Sequence, residues 1–452
     1  MATETRPPSF RRELTTVDVA GLLVGATIGA DIYVVSGLGS GLLGPALLAA
    51  WIIDGVLAAL IALCFAQCAV LCPRVGGAYA YAREAFGPTV GYLVGWALYL
   101  AQWTTLAVFP IAFIRYLGYL VPSLNGGLAI LAAVLLVTLI TATNVAGVRT
   151  AGTTNNLLVL GKLAPLLPLV LVGMVALLSH PDLAAANLSP FAPLGWTGLP
   201  AALVLVYFAY MGVELVGLPA EEVRDASRAL PRGILLGAAL VTAIYLLVNL
   251  VVIGAVPWPA LAATQTPLAM AAEALLAVLG LPDGIAGRVM ALGALLSITG
   301  AAEAVALGTA RLGYALARDG LLPSLFAKLH PRFGTPYLGL LAQNTTALAL
   351  ALVGSLTSLI SLAVLFTGLV YLVTALATVR LLHRTGPALP GVRILSPLPA
   401  LGSFALVVSA VLSMGRDTLA LAIGLLGLAL PLVLARSRSA GQPPDSGGGR
   451  RV

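Results

Sequence analysis

The stretch VGATIGADIYVVSGLGSGLLGP, residues 24–45, decides the fold class of this chain. It belongs to an apolar run that is long enough to cross a bilayer core of about 30 Å as a helix. The run is nevertheless rich in glycine, which weakens helix interiors, and it carries Asp31 near its centre. A carboxylate at that depth costs about 3 kcal/mol on insertion scales. The run is therefore predicted to be a broken transmembrane helix whose acidic residue has a function.

The composition extends this prediction to the whole chain. Of the 452 residues, 60% are hydrophobic and 9% are charged, whereas soluble domains carry about 25% charged residues. Alternating strand patterns of about ten residues are missing from the sequence, which favours helices over a barrel. The sequence therefore predicts an all-α integral membrane protein with twelve transmembrane helices. The twelve apolar runs fall at 17–43, 46–71, 89–120, 128–144, 154–178, 198–221, 233–254, 286–316, 336–354, 358–380, 396–414 and 417–435.

The placement of Lys and Arg predicts the orientation of these runs. If the N-terminus is cytoplasmic, 20 of the 24 Lys and Arg residues lie in inside segments and three, Arg115, Arg288 and Arg416, lie outside; Lys162, within a run, completes the count. This asymmetry predicts a multi-pass protein of the cell (plasma or inner) membrane with both termini in the cytoplasm. The net charge of +7 then reflects topology and suits anionic lipids of the bilayer, so nucleic acid is not expected as a partner.

Run six is interrupted in the same way as run one. It reads LVYFAYMGVELVGLPAEEV at residues 205–223, where Gly212 and Glu214 interrupt the apolar pattern. Paired interrupted helices at the start of two five-run halves are the sequence sign of an inverted-repeat transporter with a midplane site. Close helix packing through Gly25 and Gly29 is an alternative for run one, but packing alone does not call for an acidic residue. The expected regions are a cytoplasmic arm at 1–16, a transmembrane transporter domain at 17–436 with repeats at about 17–178 and 198–380 and two further helices at about 396–435, and a disordered tail at 437–452.

Five stretches carry a family resemblance. They are run one itself, CPRVGGAYAYAREAFGPTVGYLVGW at 72–96, GVRTAGTTNNLLVLGKL at 147–163, YFAYMGVELVGLPAEEVRDASRALPRGI at 207–234 and ARLGYALARDGLLPSLFAKLHPRFGTP at 310–336. Together they resemble the amino acid–polyamine–organocation permeases, and most of all the branch that includes cationic and bacterial general amino-acid transporters. The resemblance covers runs one to ten. It implies a five-plus-five inverted-repeat (LeuT-like) fold that transports by alternating access, here with two additional C-terminal helices.

The resemblance implies a substrate site between the two interrupted helices. In the family, free backbone N–H groups of the first break hold the substrate carboxylate, which suits the positive end of a half-helix. The matching positions here are Gly29, Ala30 and Asp31, with Thr27 beside them and Gly212 in the second break.

Two aromatic residues of run six extend this site. Phe208 and Tyr210 fall where the family places the aromatic side chain that covers the substrate. An aromatic ring can form an apolar lid and can also receive an ammonium group. The alternative is plain packing, because membrane helices bury aromatic side chains routinely.

Asp31 departs from the family pattern, which has glycine at this position. An ionised carboxylate about 4 Å from a substrate carboxylate would repel it by roughly 4 kcal/mol at an effective dielectric constant near 20. Three explanations are open: Asp31 is protonated, it faces away and pairs with a cation, or the substrate presents an amine to it.

Lys162 and Glu214 are the candidate coupling residues. By resemblance, a lysine at position 162 takes the place of sodium in sodium-coupled relatives, and a buried lysine can load and release a proton. This implies proton coupling or exchange and argues against sodium symport. The alternative for Lys162 is a snorkelling side chain. Glu214 either belongs to a proton path or braces the break of run six through backbone N–H groups.

Glu303 and three cysteines complete the set of unusual residues. Glu303 in run eight is unexpected for the family and belongs either to a polar cluster with Lys162 or to substrate selection. Cys64, Cys68 and Cys72 share one face of run two. Small residues that fill a helix interface are favoured there over a metal or redox site, since no histidine accompanies them.

The sequence argues against an enzyme. It contains no GxxxxGK[ST] phosphate-binding loop and no pattern of metal ligands, so no cofactor or metal is expected. The predicted function is a secondary active permease of amino acids, proton-coupled or exchanging, whose partners are a small-molecule substrate, protons and the lipid bilayer. One alternative is a carrier of polyamines or other organic amines in which Asp31 binds the amine. Another, of a different class, is a membrane sensor or partner subunit that does not transport.

Overall fold

The computed structural model describes residues 14–72, 77–146, 163–212, 214, 223–280, 284–386, 395 and 397–429. These residues are predominantly helical, and the one β-bridge among them is isolated, between Leu14 and Val223. The helices are α1 (Thr16–Thr27), α2 (Ile32–Leu43), α3 (Leu47–Leu71), α4 (Ala78–Phe86), α5 (Pro88–Leu120), α6 (Gly126–Ala146), α7 (Leu166–Ser179), α8 (Pro181–Leu188), α9 (Leu199–Ala209), α10 (Ala226–Ala255), α11 (Trp258–Ala263), α12 (Pro267–Val278), α13 (Ala286–Arg318), α14 (Tyr337–Val353), α15 (Leu356–Thr385), α16 (Pro397–Ser413) and α17 (Arg416–Gly427).

Each predicted apolar run contains helix in its described part. Six segments are long and apolar enough to cross a membrane, and the bent pair α7 and α8, which meet at 100°, would make a seventh. Five further apolar helices have 10–17 residues. The all-helical membrane class is thus confirmed, while the number of twelve spans remains a prediction. The six segments are Ile32–Leu71, Pro88–Leu120, Gly126–Ala146, Arg228–Ala255, Ala286–Arg318 and Leu356–Arg384.

The first of these segments is long enough for two crossings. Its 40 residues would extend about 60 Å as one helix, twice the thickness of the bilayer core. A 3-10 turn at Gly44–Ala46 divides it into α2 and α3. Gly44 has φ +62, a left-handed conformation that glycine adopts without a steric penalty.

Run one consists of two helices in the structure. α1 begins at a capping box in which the Thr15 hydroxyl accepts from the Asp18 N–H and the Asp18 carboxylate accepts from the Thr15 N–H. It ends at Thr27, because Ile28 adopts an extended conformation, and α2 starts at Ile32. Residues 28–31 are therefore a break of four residues between two half-helices, which we call the first break.

Run six also ends a helix early. α9 stops at Ala209, and Gly212 follows with φ +108. A side chain is rarely compatible with that conformation. Beyond Gly212 the structure describes Glu214 and then resumes at Val223. We call residues 210–214 the second break, of which residue 213 lies outside the described residues.

Two glycines of α10 provide the surface on which α1 packs. A Cβ atom at Gly233 would lie 2.6 Å from the Val19 Cβ, and one at Gly237 would lie 3.0 Å from the Ala20 carbonyl oxygen. Small residues four positions apart let two helix backbones approach closely. The chain before α1 is also joined to the chain before α10, since the Arg224 N–H donates to the Leu14 carbonyl at 2.9 Å.

Four helices have no counterpart in the predicted runs. They are short, and a run must extend about 20 residues to be recognised as a membrane crossing. α12 has 12 residues and nevertheless buries Leu268, Ala269 and Ala271. Its position is fixed by Glu273, whose carboxylate accepts from the N–H groups of Gly284 at 2.7 Å and Gly287 at 2.6 Å at the start of α13. The four helices are α4, α8, α11 and α12.

Candidate functional site

The first break leaves backbone donors unused. The Ile28 N–H still donates to the Val24 carbonyl, and the Tyr33 N–H donates to the Ala30 carbonyl at 3.2 Å. The N–H groups of Gly29 and Ala30 have no acceptor among the described residues. Because they precede the N-terminus of α2, they lie at the positive end of a helix dipole. This is an arrangement that can bind an anion.

Asp31 is folded back over the first break. One of its carboxylate oxygens lies 3.1 Å from the position that a Cβ on Gly29 would take, and the Ala301 Cβ lies 3.8 Å from the same position. The Ser297 hydroxyl, also on α13, donates to the Gly29 carbonyl at 3.1 Å. The Asp31 carboxylate therefore lies on the side of the break that faces α13. Asp31 is 8% exposed.

The ends of both half-helices meet at one hydroxyl group. The Tyr245 hydroxyl, on α10, is 3.0 Å from the Thr27 carbonyl oxygen and 3.0 Å from the Ala209 carbonyl oxygen. These are the last residues of α1 and α9. The Thr27 side chain is buried, and its hydroxyl has no hydrogen-bond partner in the described part of the chain. An unpaired buried hydroxyl at this point is available to a bound solute.

The second break is in direct contact with the end of α1, immediately before the first break. A Cβ atom on Gly212 would lie 2.6 Å from the Ala26 carbonyl oxygen and 3.5 Å from the Thr27 nitrogen. Only glycine fits so close to another backbone, and its left-handed φ angle adds a second requirement for glycine. The structure therefore brings Thr27, Gly29, Ala30, Asp31 and Gly212 to one place.

Phe208 of α9 and Tyr210, the first residue of the second break, are buried beside this place. Tyr210 donates its hydroxyl to the Trp51 carbonyl at 2.9 Å, and its ring lies 5.9 Å from the Trp51 ring and 5.3 Å from the Tyr245 ring. These contacts direct the Tyr210 hydroxyl toward α3, as expected for packing. Phe208 is 2% exposed and has no polar group to satisfy.

Glu214 holds the second break together. One carboxylate oxygen accepts from the Gly212 N–H at 3.0 Å and from the Tyr371 hydroxyl. The other accepts from the Gln102 side chain at 3.3 Å. Glu214 thus joins α5, α15 and the residues after α9, and it is 6% exposed. The bracing contacts expected of one interpretation are present, and the same hydrogen bonds would be needed for a proton path.

Comparison with known proteins identifies the family. The profile described as "Amino acid permease" matches residues 14–433. The chain belongs to this permease family. It is 32% identical to the methylthioribose transporter of Bacillus subtilis over 75% of this chain and 74% of that protein. It is 28% identical to the branched-chain amino acid permease BcaP of the same organism, over 78% and 77% of the two chains. Human cationic amino acid transporter 4 is 29% identical over 87% of this chain and 64% of its own length.

These relatives confirm three of the sequence predictions. They are transporters and not enzymes, they include amino acid permeases and cationic amino acid transporters, and the resemblance read from the five stretches is correct. Together with the apolar helices, they show that the permease is a multi-pass membrane protein.

The remaining predicted residues lie apart from the two breaks or outside the description. Lys162 lies outside the described residues. Glu303 is half-buried on α13 and accepts from the Thr143 hydroxyl of α6 at 3.0 Å. The three cysteines are buried and form no disulfide with one another, and the Cys68 sulfur lies 3.1 Å from the Thr378 hydroxyl. Within the described ranges, no group of three His, Cys, Asp or Glu is placed to hold a metal ion.

The sequence analysis missed two residues of this permease that the structure brings forward. Tyr245 joins the ends of α1 and α9, but one tyrosine in an apolar run carries no signal that distinguishes it from the others. Asp54 lies inside α3, is 1% exposed, and has one carboxylate oxygen without a hydrogen-bond partner among the described residues. An acid within an apolar run was the signal that singled out Asp31, and it applies equally to Asp54.

Proposed function

We propose that this chain is a secondary active transporter that moves amino acids across the cell membrane by alternating access. The observation that carries the proposal is the meeting of two interrupted helices, with Gly212 against Ala26 and with N–H groups at Gly29 and Ala30 that have no acceptor among the described residues. Membership of a family that includes amino acid permeases supports it. Every described residue of this site is buried, as expected for an occluded conformation.

The proposed binding mode follows from the groups that lack partners. A substrate carboxylate would accept hydrogen bonds from the N–H groups of Gly29 and Ala30, and the Thr27 hydroxyl would donate a third. The α-amino group would bind backbone carbonyl oxygens exposed by the two breaks. Phe208 would cover the substrate side chain. Tyr210 would contribute through its ring, since its hydroxyl is bonded to α3.

Asp31 can remain near a carboxylate only if its charge is compensated. Its carboxylate lies on the side of the first break that faces α13, and of the explanations given above we propose the second, that it pairs with a cation. We propose Lys162 as that cation. A lysine that exchanges its proton against Asp31 would couple transport to protons or permit exchange, with no sodium ion in that place. Glu214 would take part in the proton path and also brace the second break.

The proposed topology has twelve transmembrane helices, with both termini cytoplasmic and a five-plus-five inverted repeat. Six segments are long enough to cross, and the 40-residue segment supplies the whole second crossing, α3, and the second half of the first, α2. The shorter apolar helices α1 and α9 would each be one half of a broken span. A half-helix needs no span of 20 residues, since its partner across the break completes the crossing.

A second candidate is a carrier for solutes without a carboxylate. Two observations favour it: Asp31 stands beside the N–H groups of the first break, and a relative that is 32% identical is a methylthioribose transporter. A carboxylate can bind an amine as an ion pair or accept hydrogen bonds from the hydroxyls of a sugar. The proposed solutes are chiefly polyamines and other organic amines. Methylthioribose is included because this chain is similar to a transporter of that sugar.

A ligand screen of the purified protein separates these candidates. A ligand that binds only the folded state raises the melting temperature. The panel consists of the twenty amino acids, putrescine, spermidine, ethanolamine, methylthioribose and simple carboxylates. Each hit is then tested for counterflow in proteoliposomes. Stabilisation and counterflow by amino acids support the proposal, and the same result with amines or methylthioribose alone supports the second candidate. Stabilisation without counterflow would indicate a sensor, and would contradict transport.

A further inference from the structure

Asp54 lies at a junction of three helices. It is the eighth residue of α3, about 10 Å from the start of that helix. A Cβ on its neighbour Gly55 would lie 2.5 Å from the Thr242 hydroxyl of α10 and 3.0 Å from the hydroxyl of Tyr210, which directly follows α9. α3 therefore packs at this level against the half-helix that ends in the second break.

No positive charge faces Asp54 in the described part of the chain. The surrounding aromatic cluster contains Tyr207 of α9, Tyr210 directly after α9, Tyr245 of α10 and Tyr371 of α15. The other titratable groups of these helices lie at their remote ends. On α10 they are Arg228 and Arg232, which precede Thr242 by at least ten positions. On α15 they are Arg380, His383 and Arg384. α16, which also packs on α3, has no titratable side chain. α2 contributes the buried Tyr33. α4, with Tyr79, Tyr81, Arg83 and Glu84, packs near Phe65, eleven positions along α3 from Asp54.

An ionised carboxylate in this position would be very unfavourable. Moving an isolated charge out of water costs several kcal/mol even after relaxation, and one Asp54 oxygen is buried without a donor. A purely structural polar residue would be expected to have its hydrogen bonds satisfied. The neutral acid avoids the cost, so the packed arrangement of α3 and α9 requires a proton on Asp54.

Tyr207 connects Asp54 to the second break. Its hydroxyl is fully buried and has no partner among the described residues. It lies within electrostatic reach of both Asp54 and Glu214. Its ring lies 6.0 Å from the ring of Tyr371, which donates to Glu214. Asp54 and Glu214 thus each interact with Tyr207 inside one buried cluster.

We propose that Asp54 is a proton-binding site of the transport cycle, occupied when α3 and α9 are packed together. This rests on the proposed function, since it assigns a residue to proton coupling. Loss of the proton breaks the Asp54 O–H bond, gives the proton to water, and leaves a carboxylate that the closed packing cannot accommodate. The deprotonated protein therefore favours a conformation in which α9 separates from α3 and water reaches Asp54. Proton binding and closure are linked because each favours the other.

Infrared difference spectroscopy tests the site without a known substrate. The purified wild-type protein is taken through a pH step, and the carbonyl stretch of protonated carboxylic acids is recorded in H₂O and D₂O. We expect one such band to be absent in Asp54→Asn and unchanged in Asp417→Asn, an exposed acid of α17. An identical set of bands in wild type and Asp54→Asn would overturn the proposal. If Asp54→Asn does not fold, Asp54→Glu is used, and a shifted carboxylic-acid band is expected.

Reconstituted transport tests the coupling. With a pH gradient of one unit, one-proton symport accumulates its substrate up to about tenfold, because one unit of pH is a tenfold concentration ratio. Asp54→Asn mimics the protonated state, so we expect counterflow to persist and accumulation to fall toward a ratio of one. Accumulation equal to wild type would overturn the role in coupling. If wild-type transport is itself independent of pH, the coupling in the proposed function fails, and the infrared band alone then decides whether Asp54 binds a proton.

Discussion

The Tyr245 hydroxyl lies 3.0 Å from the carbonyl oxygens of both Thr27 and Ala209. A phenol has one proton, so it can donate to only one of the two carbonyls at a time. Tyr245 therefore holds the ends of α1 and α9 at a common point on α10 while leaving one carbonyl partly unsatisfied. A solute ammonium group could satisfy that carbonyl in place of the phenol.

Tyr245→Phe should weaken the junction of the two half-helices. The ring contacts with Trp51 and Tyr210 remain, and one buried hydrogen bond is lost, which destabilises the fold by about 1 to 3 kcal/mol because a carbonyl is left unpaired. We expect a lower melting temperature and a changed rate of counterflow. Tyr116→Phe is the matched control, since it removes a buried hydroxyl that donates to the Tyr33 carbonyl at 2.6 Å and joins no helix end of α1 or α9. Equal counterflow rates in both variants would contradict the role of Tyr245.

Gly212→Ala should prevent the second break from packing against the end of α1. The added Cβ would approach the Ala26 carbonyl to 2.6 Å, and the φ angle of +108 is unfavourable for alanine. Each strained backbone conformation costs about 1 to 3 kcal/mol. We expect reduced ligand stabilisation and loss of transport. Gly21→Ala in α1, where a Cβ meets nothing within 4 Å, is the control and should be neutral or stabilising by up to about 1 kcal/mol. Normal transport by Gly212→Ala would show that the contact is not required.

Asp31→Gly distinguishes the explanations of this acid. It restores the glycine that the family pattern has at this position and removes a negative charge from the first break. If Asp31 binds an amine, uptake of amines should fall and α-amino acids should be preferred. If Asp31 pairs with Lys162, the preference should stay the same while the pH dependence changes. Competition against one labelled substrate measures the preference, with Asp31→Asn as the variant that removes the charge but keeps the size. A variant that matches wild type in both preference and pH profile would exclude both roles.

Lys162→Ala tests the coupling residue directly. If the ammonium group replaces a bound cation, removing it should abolish the pH dependence of transport while counterflow continues. Uptake in proteoliposomes at a series of internal and external pH values measures the effect. Lys328→Ala, at an exposed lysine in the loop before α14, serves as the control for loss of a charge. An unchanged pH profile in Lys162→Ala would remove Lys162 from the coupling mechanism.

Tyr79→Phe should loosen the contact of α4 with the end of α13. The Tyr79 hydroxyl donates to the Asp319 carboxylate at 2.7 Å, and burial, followed by this hydrogen bond and the charge of Asp319, raises the pKa of Tyr79. Tyrosine in the unfolded chain has a pKa of about 10. Because the pKa of Tyr79 is raised in the fold, the hydrogen bond stabilises the fold fully below that pH, and the stabilisation is lost as the pH rises through the raised pKa. We expect the variant to lower the free energy of unfolding by about 1 kcal/mol, by the same amount from about pH 6 to about pH 9.

The control for this variant is Tyr314→Phe. Tyr314 is a half-buried tyrosine of α13 with no hydroxyl hydrogen bond among the described residues. Its loss should leave the melting temperature almost unchanged across the same pH range. If the difference in stability between wild type and Tyr79→Phe already varied with pH below about pH 9, the raised pKa of Tyr79 would be contradicted.

Hydropathy predicts the helical class because the cost of an unsatisfied backbone in lipid leaves few alternatives. The first break was predictable for a related reason, since glycines and an acid in an apolar run conflict with an uninterrupted helix. α12 was not predictable in this way, because its 12 residues are too few for a crossing and resemble a loop between runs.

The finer geometry of the site depends on contacts between distant parts of the chain. The sequence placed Tyr210 where a substrate could be covered, but it could not predict that the hydroxyl would bond to the Trp51 carbonyl 159 positions away. Tyr245 is a still more distant partner of Thr27, 218 positions along the chain. By contrast, Asp54 could have been predicted, because a carboxylate within an apolar run is exceptional whatever surrounds it.

The hydrogen bond from the Arg224 N–H to the Leu14 carbonyl has a practical consequence for engineering this permease. It joins the chain just before α1 to the chain just before α10. A rigid fusion partner attached close to Leu14 would therefore exert force on both segments at once. In the proposed topology this load would act on the cytoplasmic entrance. A reporter protein at the N-terminus should therefore be attached through a flexible linker that ends well before Leu14, whereas a short rigid linker would bias the population of conformations that the reporter is meant to observe.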